Sequence, residues 1–445
     1  MRTIQPDELR SDAPHGPWSC RGRDIWDAFC AAADGDAARL SDVLTRDPNL
    51  YRAEYWYTQP IHFAVREGEL EAVRMLLEAG ADPSLVALSG EDLVTLARDR
   101  GHLAVVELLE QERARRPSAP EAEPKAEHPI LAAAETGDLA QVRTLVDADP
   151  RSIHAESRSG RRPLSLAAGR GHEPVVRLLI ERGADPNAPE GAEAPRGMAL
   201  YKAAWNGHRG LVELLLDHGA DPNATIDSSG SATYAAARTP ELRRMLEARG
   251  GRLDPYDLVF LDEDEEALRR VVANPAEANQ GCGGILAAAC TQKKRDLVVK
   301  LLDAGARVPP VLTACRSYLM SEPETLRLLL ASGMDPDLPN WQRATPLHDL
   351  CWRDRRGRAN PHRAECASIL LDAGASLSAR DEDYRSTPLA LAARSGLADM
   401  VDLLVARGSP TSLPDDEPWA RPLAWATRRG HAEIAATLRR AGAGS

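Results

Sequence analysis

The chain has 445 residues, 43% of them apolar and 27% charged, with a formal net charge of −12. One hydrophobic core rarely grows past roughly 250–300 residues, so several domains or a repeat array are expected, and an apolar content this ordinary excludes general disorder. The negative balance argues against nucleic acid or an anionic membrane as partner, and aromatics at only 4% point to cores of Ala and Leu, hence to helices.

The seven cysteines are scattered and never spaced C-x-x-C, which argues against a zinc site and a disulfide framework. The opening M-R-T-I-Q-P-D-E-L-R has no apolar h-region, and no stretch is long enough to span a membrane. A cytoplasmic location is expected.

In chain order, a glycine recurs at Gly35, Gly68, Gly101, Gly137, Gly171 and Gly207, and again at Gly396 and Gly430. A proline stands eight residues ahead of many of them, at Pro60, Pro129, Pro163, Pro388 and Pro422. Residues 162–188 illustrate the unit. Pro163 suits a first helical turn, and Leu164 to Ala168 make a short helix with small residues toward a neighbour. Gly171-His172 turns the chain. Val175 to Ile180 give a second helix with a broad apolar face, Gly183 closes it, and Asp185-Pro186-Asn187 forces a loop.

This unit resembles the ankyrin repeat, through T-Q-P-I-H at Thr58–His62, T-P-L-H at Thr345–His348, T-P-L at Thr387–Leu389 and G-A-D-P-N at Gly183–Asn187 and Gly219–Asn223. The resemblance implies an all-α solenoid of about thirteen helix-turn-helix units with hairpin or loop fingers. It also implies a concave face of fingers and first helices that binds another protein. Residues 1–22 read as a loosely ordered tail, 23–115 as repeats 1–3, 116–127 as a Pro/Glu-rich loop replacing a finger, 128–253 as repeats 4–7, and 254–445 as repeats 8–13. Units ending at Asp47-Pro48, Asp149-Pro150 and Asn274-Pro275 are expected to open sub-blocks. Between 230 and 340 the units depart from the pattern: Thr239-Pro240-Glu241, Asp262 to Glu266 and Lys293-Lys294 stand where the Gly-His turn belongs.

For chemistry, six histidines fall at repeat positions, where the resemblance implies hydrogen bonds that hold the turns. One per repeat does not converge on a metal. Neither metal nor cofactor is expected, and no nucleophile motif is present. The insertion between Trp352 and Arg363 carries Arg353, Arg355, Arg356 and Arg358, which suit a carboxylate or phosphate partner; a solvated loop is the plainer reading. Large rings stand just before the opening prolines: Tyr55, Trp56 and Tyr57, then Trp341, Tyr384 and Trp419. They either staple fingers together or anchor a partner. As anchors, Trp341, Tyr384 and Trp419 would form an exposed ladder with an acidic rim, suited to a partner's arginines. The expected function is a monomeric, non-catalytic protein-binding scaffold. The alternative is small-ligand binding or catalysis in a groove between aromatic-tipped fingers.

Overall fold

The prolines start helices because they lose no hydrogen bond at the first turn and carry the right φ. In a computed structural model, Pro60–Glu67, Pro129–Thr136, Pro163–Arg170, Pro346–Leu350, Pro388–Ser395 and Pro422–Arg428 are all helical. The structure describes residues 3–443 apart from 13, 16–19, 57, 87–90, 116–127, 158–159, 189, 191–196, 225–229, 280–282, 309–321 and 354–357. Among these, strands are confined to the two-residue pieces Pro14–His15 and Cys20–Arg21, so the all-α expectation holds. The Pro/Glu-rich loop at 116–127 lies outside the described residues. The chain gathers into two compact units, one of residues 1–14, 20–116 and 271–445, the other of 15–19 and 117–270.

In the second unit the first helices Pro129–Thr136, Pro163–Arg170, Met198–Trp205 and Ala232–Ala235 stack in order. Behind them run Leu139–Ala148, Glu173–Glu181, Arg209–Asp217 and Pro240–Ala248. Alanine makes the close stacking possible: Ala133, Ala134, Ala167, Ala168, Ala203 and Ala204 are buried in one continuous core with Val142, Val176, Leu179 and Leu215. Ala168→Leu is expected to overpack this junction and cost about 1–3 kcal/mol. An unmoved denaturation midpoint would show that the Ala face is not a stacking surface.

The Gly-His turn ties each repeat to the next. Gly68, Gly137, Gly171 and Gly396 have φ of 81°, 78°, 83° and 70°. The following repeat lays its imidazole over the glycine and hydrogen-bonds the carbonyl two residues before it. These contacts are His102 to Arg66 O at 3.1 Å, His172 to Glu135 O at 3.0 Å, His208 to Gly169 O at 3.3 Å and His431 to Arg394 O at 3.2 Å. A Cβ on Gly171 would lie 2.8 Å from His208 Cε1, so glycine is required for space as well as for φ. Where Gly-His is missing the turn persists: Asp262 and Lys293 take φ of 61° and 56°, at a cost of about 1–2 kcal/mol each.

The three Asp/Asn-Pro units each carry a 3-10 turn, Pro48–Tyr51, Pro150–His154 and Pro275–Asn279. The first 22 residues are not uniformly loose. Asp7–Arg10 is a 3-10 turn with Leu9 fully buried. It packs on the helix Gly22–Ala33, where Gly22 leaves no room for a Cβ beside Glu8 O.

Buried carboxylates give the second unit a pH dependence. Burial pushes Glu190 up to about 7 against the Ser165 hydroxyl, which donates to it at 2.5 Å. Burial, with the nearby Asp254 charge, raises Asp257 to about 7. A folded-state pKa above the unfolded one favours the folded protein below the unfolded pKa, and that advantage is lost as pH rises through about 7. Glu190→Gln is therefore expected to stabilise the protein at pH 8 by on the order of 1–3 kcal/mol and to change little at pH 4. Melting curves of variant and wild type at both pH values check this; an equal difference at both would contradict it.

Candidate functional site

The aromatic and charged residues of the first unit converge on one site. It lies between a block of residues 20–116 and a block of residues 271–445. The fingers are built by carboxylate and amide caps. Asp381 accepts from the Tyr384 and Ser386 amides, both at 2.9 Å. Asn340 Oδ1 accepts from Gln342 and Ala344, also at 2.9 Å. Arg343 and Arg385 then take φ of 61° and 47°, and the rings of Trp341 and Tyr384 turn inward.

Trp341 and Tyr384 are buried, which corrects the expected exposed ladder. Trp341 packs on Tyr55, Phe63 and Phe29 with ring centroids 5.3, 6.0 and 6.4 Å away, and its carbonyl accepts from the Ile4 amide at 2.8 Å. Tyr55 is buried as well. Tyr384 donates to Glu91 Oε2 at 2.6 Å and packs on Trp352 and Trp425. Trp56 and Trp419 are half-buried; Tyr57 lies outside the described residues. Of the expected acidic rim, Asp381 and Glu382 are buried, while Asp415 is exposed. The guanidinium expected from a partner comes from the chain itself. Arg394 lies 4.1 Å from the Tyr384 ring centroid, and Arg100 lies 5.2 Å from that of Trp419. Trp341 is covered by rings far away in sequence, and Tyr384 by Trp352, Trp425 and Arg394.

Around the rings lie two ionic clusters. In the first, Arg385 donates to Glu67 Oε2 at 2.8 Å, Arg66 to Asp383 Oδ1 at 3.5 Å, and Arg100 to the Asp383 carbonyl at 2.9 Å. In the second, Arg394 bridges Glu91 and Asp99, and Arg429 does the same. Arg428 donates to the Asp99 carbonyl at 2.6 Å. Burial works to raise Glu67 and Glu91, but the surrounding arginines outweigh it and hold both below the usual carboxylate range. Burial wins at Asp383, raised to about 6, and at Arg100, lowered to about 10.

Apart from Asp383 in the acidic rim, these charged residues are not marked by the repeat motifs, yet a signal exists. Arg66-Glu67, Asp99-Arg100 and Arg428-Arg429 are the two residues just before a turn glycine, and Arg394 is two before one. That register places them on the open face of the first helix. In the second unit the same register holds Glu135, Gly169 and Trp205. Trp205 is 61% exposed, with its ring stacked 5.9 Å from Tyr201.

In the Arg-rich insertion, Arg353 donates to the Ser395 carbonyl at 2.8 Å and so caps the helix Pro388–Ser395. Arg358 is exposed, and Arg355 and Arg356 lie outside the described residues. The histidines serve the backbone: His348 Nδ1 accepts from the Thr345 amide at 3.1 Å, and its Nε2 meets the Ser386 carbonyl at 3.1 Å. Burial lowers His62 to about 4. Among the described residues no group of three His, Cys, Asp or Glu side chains is placed to hold a metal ion, and no helix is long and apolar enough to cross a membrane. A groove of about 580 Å³ in the second unit is lined by Arg243, Arg252, Leu258, Glu263, Arg269 and Arg270. It is not framed by aromatic-tipped fingers, and its Arg243 is paired with Glu263.

Comparison with known proteins matches residues 93–190 and 130–226 to the family model "Ankyrin repeats (3 copies)", and residues 59–87 to "Ankyrin repeat". The chain is 30% identical over 193 residues to the E3 ubiquitin-protein ligase XB3 of Oryza sativa subsp. japonica, covering 40% of this chain and 42% of the ligase. It is 35% identical to human ankyrin repeat domain-containing protein 63, over 28% of this chain and 35% of that protein. The chain thus spans less than half the length of these relatives. The human ASB11 ankyrin repeat domain aligns at 22% identity with a TM-score of 0.24, covering 51% of this chain and 98% of that domain.

Proposed function

Because this chain is an ankyrin-repeat protein, we propose that it is a non-catalytic scaffold that binds another protein through the open first-helix face of residues 129–238. Repeats of this family generally mediate protein–protein interaction. One observation carries the choice of face. The residues just before the turn glycine meet a protein surface in the first unit, and in the second unit that register presents the exposed ring of Trp205. Lys202 is half-buried beside it, and Arg170 at the end of one flanking first helix and Arg238 in the turn after the other are exposed. The partner surface that fits is apolar over the ring and acidic around it. The Arg-rich insertion has no part in this reading, since Arg353 is used as a cap.

Affinity purification from the native host, with wild type and Trp205→Ala side by side, tests the assignment. The variant should weaken recovery of the wild-type partner by about 2 kcal/mol or more, with an unchanged melting temperature because the ring is exposed. Recovery undiminished would remove this face from the function.

A further inference from the structure

The closure of the first unit joins two blocks of stacked helices, each with buried apolar residues. Phe29, Ile61 and Leu76 are buried in one; Leu389, Met400 and Trp425 are buried in the other. Among the described residues no helix of one block packs extensively along a helix of the other; side chains make the contact. Around Glu67, Glu91 and Asp99 it is ionic, and removing ion pairs from water offsets most of their mutual attraction; Trp341 adds an aromatic contact with Tyr55, Phe63 and Phe29. The network is also incompletely satisfied: Arg66 Nη2 and the Nε atoms of Arg100, Arg394 and Arg429 are buried without a hydrogen-bond partner. A half-satisfied buried polar network gives a marginal association, whereas the stacked apolar helices on either side of it are cooperative.

We propose that this contact is an autoinhibitory clasp. The C-terminal block occupies the first-helix face of the N-terminal block as an internal ligand, and it releases as a folded body. The proposal rests on the reading that these faces bind protein. The face it covers displays Glu67, Glu91 and Asp99 beside Phe63. The internal ligand shows the chemistry a competing partner needs: arginines at the spacing of Arg394 and Arg429, with a ring in the place of Tyr384. An arginine- and aromatic-bearing protein segment is the partner that would open it.

The test uses the full chain with Glu91→Gln and Asp99→Asn together, which leaves Arg394, Arg428 and Arg429 facing neutral groups. Hydrogen exchange of the amides at 91–100 and 381–386 should quicken roughly tenfold or more. Tryptophan emission should shift to the red, and the amides of Leu70–Ala79 and Ala398–Ala406 should keep wild-type protection. Unchanged exchange at 381–386 would overturn the clasp. So would a matching loss of protection in those two helices, because the contact would then be part of one cooperative core. Arg385→Glu, at a half-exposed position opposite Glu67, gives the same readings if the double variant does not fold. The Trp205 experiment concerns the other unit, so failure of one reading is distinguishable from failure of the other.

Discussion

Replacing Trp425 by alanine is expected to lower stability by about 3–5 kcal/mol, the usual range for a large aromatic removed from a core. The ring is fully buried in the helix Pro422–Arg428. Its Nε1 donates to Ser386 Oγ at 2.9 Å, and it meets Tyr384 and Trp419 edge-on with centroids 6.0 Å away. The guanidiniums of Arg394 and Arg428 lie 5.0 and 4.7 Å from its centroid. Truncation therefore opens a cavity, leaves a buried hydroxyl short of a donor and removes two cation–π contacts. Chemical denaturation followed by far-UV circular dichroism measures the loss; a change under about 1 kcal/mol would show that the site collapses around the gap.

Phe29→Ala is expected to cost a similar amount, about 3–5 kcal/mol, in the other block. Phe29 is fully buried on the helix Gly22–Ala33, with Phe63 4.7 Å away centroid to centroid. Trp341 stacks on Phe29 and meets Phe63 edge-on. On the clasp proposal, this variant should lose protection from hydrogen exchange in residues 22–79 while Ala398–Ala406 stays protected. Equal loss in both would mean that the unit unfolds as one.

The repeats were legible because their signals are local. Pro163, Gly171, His172 and Gly183 each fix one backbone feature within a single unit, and the apolar spacing between them fixes the helices. The six repeat histidines were also read correctly, since their hydrogen bonds reach only into the adjoining residues or the adjoining repeat. The fate of Trp341 and Tyr384 was not legible. Tyr384 follows Asp381-Glu382-Asp383, which predict solvent, but Phe29 and Phe63 against Trp341, and Glu91 against Tyr384, come from some three hundred positions earlier. Nothing in a nearest-neighbour array says which distant repeats will meet. The turn at Lys293 is an intermediate case. The missing glycine suggested a departure from the pattern, whereas Lys293 takes the left-handed φ of 56° that glycine takes in the other turns.

The clasp also has a consequence in time. Asp99 and its partner Arg394 are 295 residues apart. At a synthesis rate of about 5–20 residues per second, the acidic and aromatic face of the first repeats waits roughly 15–60 s on the ribosome before its cover exists. Its own helices, whose contacts are local, can form far sooner than that. For that interval every nascent chain displays Phe63, Glu67, Glu91 and Asp99 uncovered, so the molecule passes through its open form once in each lifetime whether or not a partner ever reopens it.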